Sequence, residues 1–170
     1  MHWARGRCWL KLMISKRWVP LGLFLILAFA AAGLGGLATA TSVDTWYPTL
    51  RKPSWNPPSW LFSPVWTLLY ILMAVATWRA WGVGDALAAR RTASLYSAQL
   101  TLNALWSILF FGLRRPDLAL LEIVVLWAVL VIILVRYFRI DRIAAALWMP
   151  YVAWVTFAAF LNATIWSLNR

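Results

Sequence analysis

The chain has 170 residues, of which 64% are hydrophobic and 12% charged, and its mean hydropathy is +0.74. Soluble domains carry about 25% charged residues, so composition argues against a water-soluble fold. Sixteen Lys and Arg against five Asp and Glu give a net charge of +11, which in a membrane protein reports topology and needs no nucleic acid to explain it. A single Cys (Cys8) and a single His (His2) remove disulfide frameworks, Cys/His zinc sites and most nucleophile–base pairs, and no metal site is expected. No glycine-rich phosphate loop follows a strand pattern.

The chain opens on a basic extension, residues 1–18, with Arg5, Arg7, Lys11, Lys16 and Arg17. Residues 19–170 then form one transmembrane domain. A helix needs about 20 apolar residues to cross the hydrocarbon core. Five windows meet that length, at about 19–40, 61–81, 93–113, 118–135 and 144–169, the last interrupted by Pro150. The runs are continuously apolar, whereas barrel strands alternate. The expected fold is an all-α, five-helix membrane bundle with a long Pro/Trp-rich first loop.

Eleven of the sixteen basic residues fall in the N-terminal segment, around Arg79, Arg90 and Arg91, and around Arg136, Arg139 and Arg142. The positive-inside rule places these segments in the cytoplasm, and the C-terminus and first loop outside. A bacterial cell membrane is the expected location. The first window also has a signal-peptide reading, with Ala38-Thr39-Ala40 as the cleavage site. Its apolar run exceeds the usual 7–15 residues of such a signal, which favours a retained span. Within it, Ala28, Ala32 and Gly36 follow small-xxx-small spacing, for packing within the bundle or along a dimer seam.

The first loop runs from Thr41 to Trp60 and contains Pro48, Pro53, Pro57 and Pro58. Four prolines fix φ and remove backbone donors, so the segment is stiff and non-helical. Trp46, Tyr47, Trp55 and Trp60 suit either an interfacial belt or a lid over a cavity between the helices. Asp44 is expected to pair with Arg51 or Lys52 across this loop. Glu122 is the only carboxylate inside a span, near enough to its start to reach water or Arg115, and a structural role is expected of it.

The order of motifs resembles the translocator protein family (TspO/MBR), the tryptophan-rich sensory proteins also called peripheral-type benzodiazepine receptors. The residues that carry the resemblance begin with Trp46-Tyr47-x-x-Leu50-x-Lys52-Pro53-Ser54-Trp55-x-Pro57-Pro58. Pro64-Val65-Trp66-Thr67-x-x-Tyr70 and Gln99-x-x-x-Asn103-x-x-Trp106 follow, with Phe110-Phe111-Gly112, Pro150-Tyr151-x-x-Trp154 and Leu161-Asn162. The resemblance covers about residues 20–170. It implies a five-helix bundle, usually a homodimer, with a pocket covered by the first loop. It also implies a porphyrin ligand (protoporphyrin IX or haem), isoquinoline carboxamide or benzodiazepine-type ligands, and no required cofactor. Some members are reported to degrade protoporphyrin in light.

On that resemblance the ligand-binding residues are Trp46, Tyr47, Trp66, Asn103, Trp106 and Trp154, with Trp66 and Trp154 catalytic only if degradation occurs. Indole faces suit a flat macrocycle through stacking and dispersion. Gln99 and Asn162 have a weaker claim and read as interhelical hydrogen-bonding groups. The strict sterol motif of animal members fails at the C-terminal end; a weak match occurs at Leu134, Tyr137 and Arg139, so cholesterol binding is doubtful. Among the other indoles, Trp78, Trp81 and Trp148 suit a belt. The leading function is to sense, sequester or transport porphyrins as an integral membrane binder. The alternative is light- and oxygen-dependent porphyrin degradation, which leaves enzyme activity open. A plain transporter lacks the expected internal repeat.

Overall fold

The computed structural model describes residues 3–170, with side chains described from residue 18 onward. The basic side chains of the N-terminal extension therefore lie outside the described residues. Five α-helices make up the fold: α1 (Trp3–Ala40), α2 (Phe62–Trp81), α3 (Ala86–Ser107), α4 (Pro116–Ile140) and α5 (Arg142–Leu168). By length and composition α1, α2, α4 and α5 can each cross a membrane. α3 alone does not reach that threshold. It begins earlier than its apolar window and so takes in Arg90 and Arg91, and its apolar run passes out of the α-helix into a single π turn, Ile108–Gly112. Despite Pro150, which has no N–H to donate, α5 is continuous.

The helices pack in a ring in the order α1, α2, α5, α4, α3, which closes back onto α1. α4 shows why this ring forms. Ala119, Ile123, Leu126, Leu130, Ile133 and Tyr137 recur at helical spacing and are buried. Leu121, Val124, Val125 and Ile132 on the other side are exposed, as a lipid-facing surface should be. Lipid is as apolar as leucine, so helix association relies on close packing and interhelical hydrogen bonds. The buried aromatic core follows that rule. The Tyr96 hydroxyl donates to the Phe24 carbonyl at 3.0 Å, the Tyr137 hydroxyl to Thr77 Oγ1 at 3.0 Å, and Trp148 Nε1 to the Leu130 carbonyl at 3.2 Å.

One expectation changes here. Trp148 is completely buried and belongs to the core, not to an interfacial belt. Its position near a predicted span end misled, because α5 starts at Arg142 and carries it inward. Tyr137, of the weak sterol-motif match, is likewise buried in the core.

The turns carry clear chemistry. Gly84 has φ +97° in the α2–α3 turn, where a side chain would be strained. Asp85 caps α3 by accepting from the Ala88 amide at 2.8 Å. One residue, Asp141, joins α4 to α5. Its carboxylate accepts from the amides of Ile143 (2.8 Å) and Ala144 (3.2 Å) and pairs with Arg79 of α2 at 2.9 Å. Partial burial pushes the Asp141 carboxyl up, but the two amides and Arg79 outweigh it and hold the group below the usual carboxylate range. This stabilisation is present at neutral pH and is lost as the pH falls through the lowered folded value. Replacing Asp141 by Ala removes the cap and should destabilise by about 1 kcal/mol, whereas Asn retains a capping oxygen. Thermal unfolding in detergent should therefore show a lower midpoint for Asp141→Ala than for Asp141→Asn.

Candidate functional site

A cavity of about 520 Å3 lies among the helices, walled by α1, α2, α3, the π turn and α5, with Ile123 and Leu126 of α4 also lining it. That is the size range of small-molecule sites. Three indoles line it from three different elements: Trp66 of α2, Trp106 of α3 and Trp154 of α5.

The local pattern explains their placement. In α2, residues 63, 66, 67 and 70 recur at helical spacing and share the cavity face. In α3 the same spacing sets Asn103, Trp106 and Ser107 on the wall. The π turn then presents both Phe110 and Phe111, with their rings edge-on at 4.9 Å. Leu113 closes that turn by donating to the Ile108 carbonyl at 2.8 Å, and π turns are frequent at functional sites.

The indoles are held differently. Trp106 Nε1 donates to Asn162 Oδ1 at 3.0 Å, and Asn162 Nδ2 donates to the Pro116 carbonyl at 2.8 Å. One face of Trp106 is stacked on Phe110 at 5.2 Å. Trp66 lies tilted against Tyr70 at 5.5 Å, and Trp154 meets Phe62 edge-on at 6.0 Å. Among the described residues neither the Trp66 nor the Trp154 indole N–H has a hydrogen-bond partner. Both remain donors on an apolar wall.

Asn103 is buried at the centre of a polar chain. Its Oδ1 accepts from the Tyr70 hydroxyl at 2.6 Å, and its Nδ2 donates to the Tyr151 hydroxyl at 3.1 Å. Tyr151 in turn donates to Gln99 Oε1 at 3.1 Å. Three helices, α2, α3 and α5, are cross-linked through one amide. Tyr70 and Asn103 show part of this chain to the cavity. Gln99 is fully buried behind it and does not line the cavity, in keeping with an interhelical role.

Of the six sequence-predicted ligand residues, five line the cavity: Tyr47, Trp66, Asn103, Trp106 and Trp154. Trp46 does not. It packs edge-on against Phe110 at 5.8 Å and so supports the wall from behind. Tyr47 sits at the mouth, its hydroxyl donating to Asn56 Oδ1 at 2.9 Å; burial pushes its phenol up, and the bond to Asn56 offsets part of that. Trp55 meets Phe157 edge-on at 5.7 Å, whereas Trp60 is 72% exposed and faces away.

The connection over the mouth, residues 41–61, contains two 3₁₀ turns, Tyr47–Thr49 and Ser59–Leu61. The expected pairing of Asp44 with Lys52 is absent. Lys52 Nζ instead donates to the carbonyls of Tyr47 (2.7 Å), Leu50 (3.2 Å) and Pro48 (3.3 Å), and lies 4.8 Å from the Tyr47 ring centroid. Arg51 does not pair with Asp44 either; its backbone N–H and C=O are bonded by the Asn169 side chain of α5, both at 2.9 Å. Arg115 is paired with Asp117 through two bonds at 2.8 and 2.6 Å, so it does not meet Glu122. Both Glu122 carboxyl oxygens are buried without a partner among the described residues.

Sequence reasoning gave Tyr70, Phe110 and Phe111 no role, and all three line the cavity. It also read Ala32 and Gly36 as packing residues. Ala32 and Gly36 face the cavity, and a Cβ at Gly36 would meet nothing within 4 Å. Small residues there leave volume open. The close helix contact falls one residue away, where a Cβ on Gly35 would lie 3.1 Å from Ser107 Oγ.

Fold and site together define a multi-pass helical membrane protein with an aromatic cavity walled by its helices. Residues 23–167 match the TspO/MBR family, and the chain belongs to that family. It is 40% identical over 157 residues to the "Tryptophan-rich protein TspO" of Chlorobaculum tepidum, covering 92% of this chain and 99% of the relative. It is 44% identical over 145 residues to the protein of the same name from Archaeoglobus fulgidus, covering 85% and 94%. The "Translocator protein" of Sus scrofa is 35% identical over 163 residues, covering 92% and 94%.

Asn103→Leu should leave the Tyr70 and Tyr151 hydroxyls without their amide partner and destabilise by about 1–3 kcal/mol. On that background Tyr70→Phe should cost less than it does in the wild type. A double-mutant cycle of detergent unfolding measures this coupling.

Proposed function

We propose that the protein binds porphyrins such as protoporphyrin IX in this cavity and thereby senses, sequesters or transports them. The observation that carries the reading is the cavity lined by Trp66, Trp106 and Trp154 from three separate elements. A flat conjugated macrocycle gains most from aromatic walls, through dispersion and offset or edge-on contacts. The unpaired indole N–H groups of Trp66 and Trp154 and the Tyr70–Asn103 pair supply a few polar contacts in an otherwise apolar site, the usual balance of a small-molecule pocket. The family's names, "translocator" and "tryptophan-rich sensory protein", agree with a sensory or transport role.

Titration with protoporphyrin IX in the dark should quench tryptophan fluorescence saturably. Trp66→Phe and Trp154→Phe should each weaken binding about 3- to 10-fold, the loss expected for one aromatic contact. Ala32→Phe should also weaken it by filling the cavity from α1. Unchanged affinity in all three variants would reject the cavity as the binding site.

The direct exposure of Trp66 and Trp154 to the cavity supports a second reading, light- and oxygen-dependent porphyrin breakdown, since an excited porphyrin would be held against oxidisable indoles. Illumination of the complex should then produce new tetrapyrrole absorbance bands faster than free porphyrin bleaches, and the two Phe variants should lose that activity. Equal bleaching in wild type and variants would leave binding alone.

A further inference from the structure

No charged side chain lines the cavity among the described residues. An anionic ligand must therefore keep its charge at the mouth, because an unpaired carboxylate in an apolar enclosure is strongly disfavoured. Two arginines near the first connection have guanidinium groups with nitrogens free of partners among the described residues, Arg51 and Arg114, and only Arg114 is bonded to the turn that follows α1. Arg114 follows the π turn and has φ +54°, a left-handed conformation that costs a side chain-bearing residue about 1 kcal/mol or more. Glycine would be the ordinary occupant of such a position at a helix end.

The strained backbone turns the Arg114 side chain onto Ser42, whose Oγ accepts from Arg114 Nε at 3.3 Å. Ser42 is buried, and its neighbour Val43 and Ala40 two residues before it line the cavity. Phe111, three residues before Arg114, also lines it. Arg114 makes no other hydrogen bond or ion pair among the described residues, so its terminal guanidinium nitrogens are free. Three other cations nearby are engaged. Arg115 is paired with Asp117, Lys52 is held by three backbone carbonyls, and Arg170 lies over the Trp166 ring.

We infer that Arg114 reads a carboxylate on the edge of the cavity ligand, so that the ligand class is an apolar ring system with an acidic arm directed at the first connection. The inference rests on the proposed porphyrin reading and adds both the orientation and the charge of the ligand. A guanidinium at a half-wet rim makes a charge-assisted contact that salt screens.

The experiment compares protoporphyrin IX, a dicarboxylic acid, with its neutral dimethyl ester on the full chain in detergent. The wild type should bind the diacid about tenfold more tightly than the ester at low salt, with the margin shrinking as salt rises. Arg114→Gly suits the left-handed backbone and should fold at least as well as the wild type. It should lose the preference for the diacid while keeping its affinity for the ester. Arg114→Lys should retain part of the preference. Arg115→Gln makes the same change in net charge one residue away and should leave the preference intact. A diacid preference that survives in Arg114→Gly, or equal binding of both compounds by the wild type, overturns the inference while the porphyrin site stands. Failure of the wild type to bind either compound overturns the porphyrin reading, and the inference with it.

Discussion

A polar side chain inside a bilayer must find its partner within the protein, and the interior of this bundle is organised by that constraint. The central case is Asn103. Water would satisfy its amide in a soluble protein, but here Tyr70 and Tyr151 do, each from a different helix. Each such bond is worth only about 0.6–2 kcal/mol in a membrane. Their geometric effect is larger, because they fix α2, α3 and α5 at one spacing around an unfilled volume. Trp106 and Asn162 repeat the device one turn on, tying α3 to α5 and to the start of α4. The cavity walls are therefore cross-linked by hydrogen bonds, and the aromatic rings on them hold fixed orientations.

The mouth obeys a related rule. The connection between α1 and α2 is rich in proline and cannot satisfy its carbonyls by regular structure. Lys52 gathers three of them, and the Asn169 amide pairs with the Arg51 peptide unit from the end of α5. These contacts seat Tyr47 at the cavity and leave Trp60 facing outward. Arg114 belongs to the same region, its left-handed backbone carrying its guanidinium onto Ser42.

Much of the site was legible in the sequence, for a physical reason. The motifs that carry the family resemblance pointed to Trp66, Asn103, Trp106 and Trp154, and a polar amide such as that of Asn103 inside an apolar run has few places to face other than the interior. Trp46 and Tyr47 are adjacent and chemically similar, and no periodicity distinguishes them in a turn. Only the packing of Phe110 puts Trp46 behind the wall and Tyr47 on it. Trp148 was misread for a similar reason: closeness to a predicted span end is a statement about depth, whereas burial depends on which side of α5 the ring occupies. Charge pairing was no more predictable. Asp44, Arg51, Lys52, Arg115 and Glu122 offered several plausible pairs by proximity along the chain, and the fold chose Asp117 for Arg115 and backbone carbonyls for Lys52.

Composition and apolar run length by themselves determined that this chain forms helices in a membrane, because the hydrocarbon core leaves few other ways to satisfy the backbone. The order and spacing of its Trp, Pro and Asn motifs determined its family. The tertiary structure alone decided that the small residues of α1 open a cavity as well as closing a helix contact, that the π turn adds Phe110 and Phe111 to its wall, and that every described side chain lining it is uncharged. Those properties depend on where five helices stand relative to one another. That arrangement is set by packing and hydrogen bonds between residues far apart in the chain, and local sequence pattern does not contain it.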